Sequence, residues 1–389
     1  MSSPVIDPFS FHLPVRIRFG EGAIGALPDV LAELGAAAPT VVVEAPVAPI
    51  PDVSAAIAGL DVYEKPPGEP TVALVDALVA RMAAQPPDAV VAIGGGSALD
   101  LAKAARAAHS QGTSFARLLA GADAVAGPRI GLVTVPTTSG TGSEVSGGAV
   151  VVDRETGRKL GVASPLMRAQ HALVDPLLTL GQPPAATMGT GADALAQAIG
   201  GVIVRNGNPG SVALGLEACR HVAAGLAAAV ADGGDRAARA ELSLGSLLAG
   251  LAMNLSDCGA DHALGHAIGG RLGLPHGLSV GLVLAETLDR DRAACADRLE
   301  RVADALREPP DGSADGSRAV RAVRRLLAEI GFPTCAEAGV CDADVDGLVE
   351  LARDDYCLTV SPHRWTSGDI RRAYADALAV GPRGVSSNL

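Results

Sequence analysis

Apolar positions along the chain fall into two regimes. In the first, short apolar runs alternate with stretches of helical spacing. Residues 15–19, Val-Arg-Ile-Arg-Phe, alternate and end in a Gly-Glu-Gly turn, which predicts an edge strand. Residues 23–34 have helical spacing, and residues 40–44, Thr-Val-Val-Val-Glu, suit a buried parallel strand. Residues 45–52 and 66–70 are Pro-rich and read as loops. Residues 71–85 place Val72, Val75, Leu78, Val79 and Met82 on one side of a helix. A strand at 89–93, a helix at 101–108 and a strand at 130–135 follow. This alternation predicts an α/β domain with a mostly parallel sheet.

After Pro183-Pro184 the pattern changes. Residues 185–306 are rich in Ala and Leu, with helical periodicity and almost no β-branched runs. A polar loop at 308–317 precedes helices at 319–330, 342–354 and 367–378. The predicted organisation is an α/β domain over residues 1–182 and an all-helical domain over 183–389.

Composition narrows the function classes. With 389 residues, 48% hydrophobic and 19% charged, the chain can bury a large core and is not disordered. A net charge of −12 argues against nucleic acid or an anionic membrane surface as partner. The start lacks a basic and an apolar segment, so no secretory signal is expected, and no run of about 18 uncharged apolar residues predicts a membrane span. Six cysteines are scattered without a Cys-x-x-Cys pair, as in a cytoplasmic protein with reduced thiols.

Three of the eight histidines fall between Asp261 and Gly277. His262 and His266 are four apart and share a helix face, and His276 follows a Gly-rich break fixed by Pro275. Such a cluster either converges on a metal or consists of core histidines bonded to backbone. A second cluster of chemistry is Gly94-Gly95-Gly96-Ser97, directly after a strand. Bare glycine N–H groups and a helix N-terminus suit a pyrophosphate. Ser97 and Asp100 have capping-box spacing.

The run from Gly94 through Ser97 and Asp100 to Lys103 resembles the Gly-Gly-Gly-Ser-x-x-Asp-x-x-Lys signature of the iron-containing alcohol dehydrogenase superfamily, which includes glycerol dehydrogenases and maleylacetate reductases. Residues 135–145, Val-Pro-Thr-Thr-Ser-Gly-Thr-Gly-Ser-Glu-Val, resemble its second signature. Lys159, Val174-Asp175-Pro176, Gly191-Ala-Asp193-Ala-Leu and the stretch from His262 to Gly277 also match in order. The resemblance implies a dehydroquinate synthase-like architecture, with NAD or NADP in the cleft between an α/β and a helical domain and a divalent metal, Fe²⁺ or Zn²⁺, beneath it. It places Gly94, Gly95, Gly96 and Ser97 at the pyrophosphate, and Asp100, Thr137, Thr138, Ser143 and Lys159 around the nucleotide. Glu44 can accept ribose hydroxyls and repel a 2′-phosphate, which favours NAD.

The same resemblance assigns metal ligation to Asp193, position 197, His262 and His276. Position 197 is Gln197, where the family pattern has His. His266 becomes a proton relay, with His262 and His276 beside the reacting carbonyl. The implied function is a nicotinamide-dependent alcohol dehydrogenase or aldehyde/ketone reductase acting on a small molecule, as a homodimer or larger homo-oligomer. Two alternatives follow from Gln197: a metal-independent reductase like maleylacetate reductase, or a nucleotide-binding partner protein that has lost turnover. Gly200-Gly201 and the 2% aromatic content point to a pocket lined by aliphatic groups and glycine, and to a specialised substrate.

Overall fold

The computed structural model describes residues 8–121, 123–127, 129–152 and 159–380. The first half alternates strand and helix: β1 (Arg16–Phe19), α1 (Leu27–Leu34), β2 (Thr40–Glu44), α2 (Pro51–Ala56), β3 (Asp61–Lys65), α3 (Val72–Ala84), β4 (Ala89–Gly94), α4 (Gly96–Gln111), α5 (Phe115–Leu119) and β5 (Gly131–Pro136). An antiparallel pair, β6 (Gly148–Val152) and β7 (Lys159–Ala163), precedes β8 (His171–Val174). Six strands form one parallel sheet in the order β1-β8-β5-β4-β2-β3, with β1 at an edge as the alternation predicts.

Both faces of this sheet are covered, which explains the unbroken apolar runs. Val42, Val90 and Leu132 join the core under α3 and α4, whereas Val41, Val43, Val91 and Ile93 face the other side, toward α1. The connection from β2 runs to β3 on one side, and that from β4 runs to β5 on the other. The carboxyl ends of β2 and β4 therefore border the switch point of the sheet, where open α/β folds bind ligands. Glu44 closes β2 there and Gly94 closes β4.

From residue 184 on, the described chain contains helices and no strand: α6 (Pro184–Ile203), α7 (Pro209–Ala231), α8 (Arg236–Leu255), α9 (Ala260–Leu272), α10 (His276–Ala305), α11 (Ser317–Glu329), α12 (Val345–Ala352), α13 (Tyr356–Val360) and α14 (Ser367–Val380). Leu195, Ile199, Leu264, Ile268, Val283 and Leu327 belong to their common core. The α6 helix runs through it, buried at every position from Gly191 to Ile203.

Several expectations are corrected. Part of the predicted 45–52 loop is the start of α2, where Pro51 is tolerated because a first-turn N–H has no helical acceptor. The strands β3, β6, β7 and β8 were not predicted, being short or interrupted by charge. By length and composition α7 is apolar enough to cross a membrane, yet Glu217 and Arg220 interrupt it as the sequence reading expects. Here it packs against α6 and α8, burying Cys219, Val222 and Leu226.

Candidate active site

Asp193 and Gln197 lie one turn apart on α6, His262 and His266 one turn apart on α9, and His276 opens α10. A close backbone approach brings these helices together. A Cβ on Gly277 would lie 2.2 Å from the Gly189 carbonyl oxygen, so only glycine lets α10 start against α6. Pro275 then sets the direction of His276 as it enters the helix.

The result is a convergence of electron-pair donors. His262 Nε2 stands 3.3 Å and His276 Nε2 3.5 Å from Asp193 Oδ1. Asp193 Oδ1, His262 Nε2 and Gln197 Oε1 are all buried without a hydrogen-bond partner. Buried polar atoms are nearly always satisfied, so three orphans near one another point to a missing partner. One carboxylate and two imidazoles at this spacing fit a divalent cation with open positions. Burial alone would raise the Asp193 carboxyl. The His276 and His262 imidazoles overcome it and hold the group ionised, far below the usual carboxylate range. Gln197 donates its amide nitrogen to the Thr141 carbonyl at 3.3 Å, leaving only its oxygen free.

His266 is tied elsewhere. Its Nδ1 lies 2.9 Å from Asp355 Oδ2, and its ring stacks on His276 with centroids 5.4 Å apart. Burial lowers its pKa despite the Asp355 carboxylate, so the ring is neutral at pH 7. Its side chain is 39% exposed, which links the buried cluster to solvent.

At the sheet, Gly94 has φ 150° and Gly95 caps α4 from its backbone. A Cβ on Gly96 would meet Thr141 Cγ2 at 2.7 Å, so the two signatures touch backbone to side chain. The predicted capping box does not form. Ser97 Oγ instead donates to Glu44 Oε1 (2.8 Å), and Gly95 N–H donates to Glu44 Oε2 (3.0 Å). The Glu44 carboxylate thus occupies donors expected to hold a pyrophosphate, with buried Lys65 as its counter-charge at 3.4 Å. Asp100 accepts from Ser143 Oγ (2.6 Å) and Val150 N–H (2.9 Å). Buried Lys103 donates to the Ser143 carbonyl and Ser146 Oγ, both at 3.1 Å. Asp100, Lys103 and Ser143 therefore brace the loop after β5 against α4. Thr137 N–H donates to the Gly94 carbonyl at 3.0 Å, and Thr138 lies over Gly95. The side chain of Lys159 lies outside the described residues.

Comparison with known proteins decides the family. Residues 14–176 match iron-containing alcohol dehydrogenase, and residues 187–378 match the C-terminal part of the Fe-containing alcohol dehydrogenase family. The chain belongs to the iron-containing alcohol dehydrogenase family. It is 33% identical over 319 residues to the probable alcohol dehydrogenase EutG of Salmonella typhimurium, covering 82% of this chain and 80% of that one. It is 31% identical over 372 residues to the lactaldehyde reductase of Escherichia coli, covering 92% and 97%. Among solved structures, sulfoacetaldehyde reductase from Bifidobacterium kashiwanohense in complex with NAD⁺ superposes with a TM-score of 0.87 at 27% identity, covering 96% of this chain and 99% of that one. The protein is thus an oxidoreductase acting on alcohols, and its family implies a divalent metal and NAD.

In this alcohol dehydrogenase, two acidic partners escaped the sequence reading. Asp355 carries no local signal, since it meets His266 across 89 residues of chain. Asp261 precedes His262 directly, yet adjacency alone did not assign it a partner. Gly200 and Gly201, expected near the pocket, pack against the backbone at Asp257 and against Ala252. Both let neighbouring helices and loops approach closely.

Proposed function

We propose that this enzyme holds a divalent cation, Fe²⁺ or Zn²⁺, on Asp193, His262 and His276, with the Gln197 amide oxygen beside it. It interconverts a small alcohol and its aldehyde or ketone with NAD. The orphaned atoms Asp193 Oδ1, His262 Nε2 and Gln197 Oε1, with His276 Nε2 3.5 Å from Asp193 Oδ1, are the observation that supports this most directly. When bound, the cation supplies Lewis acidity toward the substrate oxygen and the nicotinamide carries the hydride.

The chain's own residues supply orientation and proton management. Asp193 stays ionised and provides a negative charge that imidazole ligands do not carry. His266 carries a proton on Nδ1 toward Asp355, which leaves Nε2 as an acceptor at the solvent-facing edge of the cluster, suited to relay the alcohol proton. Gly94 to Ser97 cradle the pyrophosphate once Glu44 releases them, and Thr137, Thr138 and the braced Ser143 loop wall the nucleotide. Glu44 at the switch point favours a free ribose hydroxyl over a 2′-phosphate, hence NAD over NADP. The described cysteines are free, which fits a cytoplasmic setting. The unpaired side of β1 offers an edge for a homo-oligomer.

Elemental analysis of untagged protein tests the reading. Near-stoichiometric iron or zinc, lost in His262→Ala and His276→Ala, is the expected result. Turnover that survives complete chelation, with no metal in the native chain, would overturn it in favour of a histidine-driven reductase. Cofactor binding without turnover on a broad alcohol and aldehyde panel would instead indicate a partner protein.

A further inference from the structure

The imidazole of His262 is held from both sides. Its Nε2 faces Asp193 Oδ1, and its Nδ1 lies 3.2 Å from Asp261 Oδ2. Both side chains are buried, Asp261 6% and His262 4% exposed. A buried carboxylate needs a donor, and the ring N–H of His262 is the one within reach. A proton on Nδ1 satisfies Asp261 and turns Nε2 toward the cluster.

We propose that Asp261 is a positioning residue for metal binding: its carboxylate holds His262 Nδ1–H, fixes the tautomer and ring angle, and makes Nε2 a stronger donor. The inference rests on the proposed metal site. A carboxylate behind a ligating imidazole passes part of its charge through the ring to the cation. That matters here because Gln197 offers only a neutral amide oxygen, a weak donor to iron or zinc compared with an imidazole. Asp261 adds, from behind His262, charge that the amide cannot provide. A simpler role exists for a carboxylate in the first turn of α9, where it favours the helix dipole whether or not a metal binds. The two roles differ in what they move.

Zn²⁺ affinity is measured by competition with a chromophoric chelator on full-length wild type, Asp261→Asn and Asp261→Ala, each also in a Gln197→His background. Removing such a partner costs about tenfold to a hundredfold in metal affinity. That loss is expected for Asp261→Ala in both backgrounds, with a smaller loss for Asp261→Asn, which keeps an acceptor oxygen without the charge. The visible spectrum of the Co²⁺-loaded protein should shift in both variants. Wild-type affinity and unchanged Co²⁺ spectra in folded Asp261→Asn and Asp261→Ala, with only a lower melting temperature, would overturn the proposal. A native chain that binds no Zn²⁺ would sink the proposed metal site instead. The Gln197→His pair would still decide the role of Asp261.

Discussion

Glu144 gives a sharp test of how burial is balanced in this fold. It follows Ser143 in the loop after β5 and is 3% exposed, beside Thr138, Ser139, Asp175 and Ser243. Burial pushes its carboxyl from the ordinary 4.5 up to about 7, with Lys103 opposing only in part. Raising a carboxyl by that much corresponds to about 3 kcal/mol. The sign follows from proton counting. Between the two values the folded chain keeps a proton that the unfolded chain has released, so stability is fully present below 4.5 and lost as the pH rises through about 7. Glu144→Gln keeps the shape and removes the charge. Its unfolding free energy, from urea titrations followed by circular dichroism, should exceed wild type by about 3 kcal/mol above pH 8. The difference should shrink toward zero below pH 4.5. Asp291 is also raised to about 7, but it is present in both proteins and cancels. A difference that stays constant with pH, or a variant less stable at pH 8, would refute the reasoning.

Three further outcomes are expected. Gly277→Ala places a Cβ 2.2 Å from the Gly189 carbonyl oxygen and should destabilise the fold by about 1–3 kcal/mol while lowering bound metal, read by urea unfolding and elemental analysis. Glu44→Gln should raise the kcat/KM ratio of NADP to NAD by about tenfold, or about 1.4 kcal/mol, because the carboxylate that repels a 2′-phosphate is gone; an unchanged ratio would remove Glu44 from cofactor choice. Asp355→Ala should lower kcat by at least about a hundredfold with metal content intact, since His266 loses the acceptor that sets its proton. A solvent isotope effect on kcat that grows in the variant would place the loss in proton transfer.

What the sequence revealed follows the range of each interaction. The strands β2, β4 and β5 were legible because covered faces demand continuous apolar runs, and α3 because its buried positions repeat with helical spacing. The strand β3 reads Asp-Val-Tyr-Glu-Lys, and its last residue, Lys65, is fully buried only because Glu44, two loop carbonyls and the sheet enclose it. No local pattern announces that. The strand β8 has four residues and starts on buried His171, too short for a period to register. At the site, the Gly-rich loop and the histidine spacing were visible as motifs. The diversion of Ser97 to Glu44, and of Asp100 to Ser143 and Val150, arises from contacts across more than 40 residues. Residue spacing cannot show which partner wins such a contact.

Gly142 and Gly250 meet where the loop after β5 crosses α8. A Cβ built on either would fall within 2.7 Å of the other's Cα. Gln197 Oε1 lies 3.3 Å from the same point on Gly142. The separation between the loop after β5 and α8 is therefore fixed by main-chain radii. Repacking either hydrophobic core can alter stability without altering that distance, whereas a single methyl group at this crossing acts as a shim. The approach of the loop that carries the second signature to the helical domain is thus calibrated by two residues that perform no chemistry and carry no side chain.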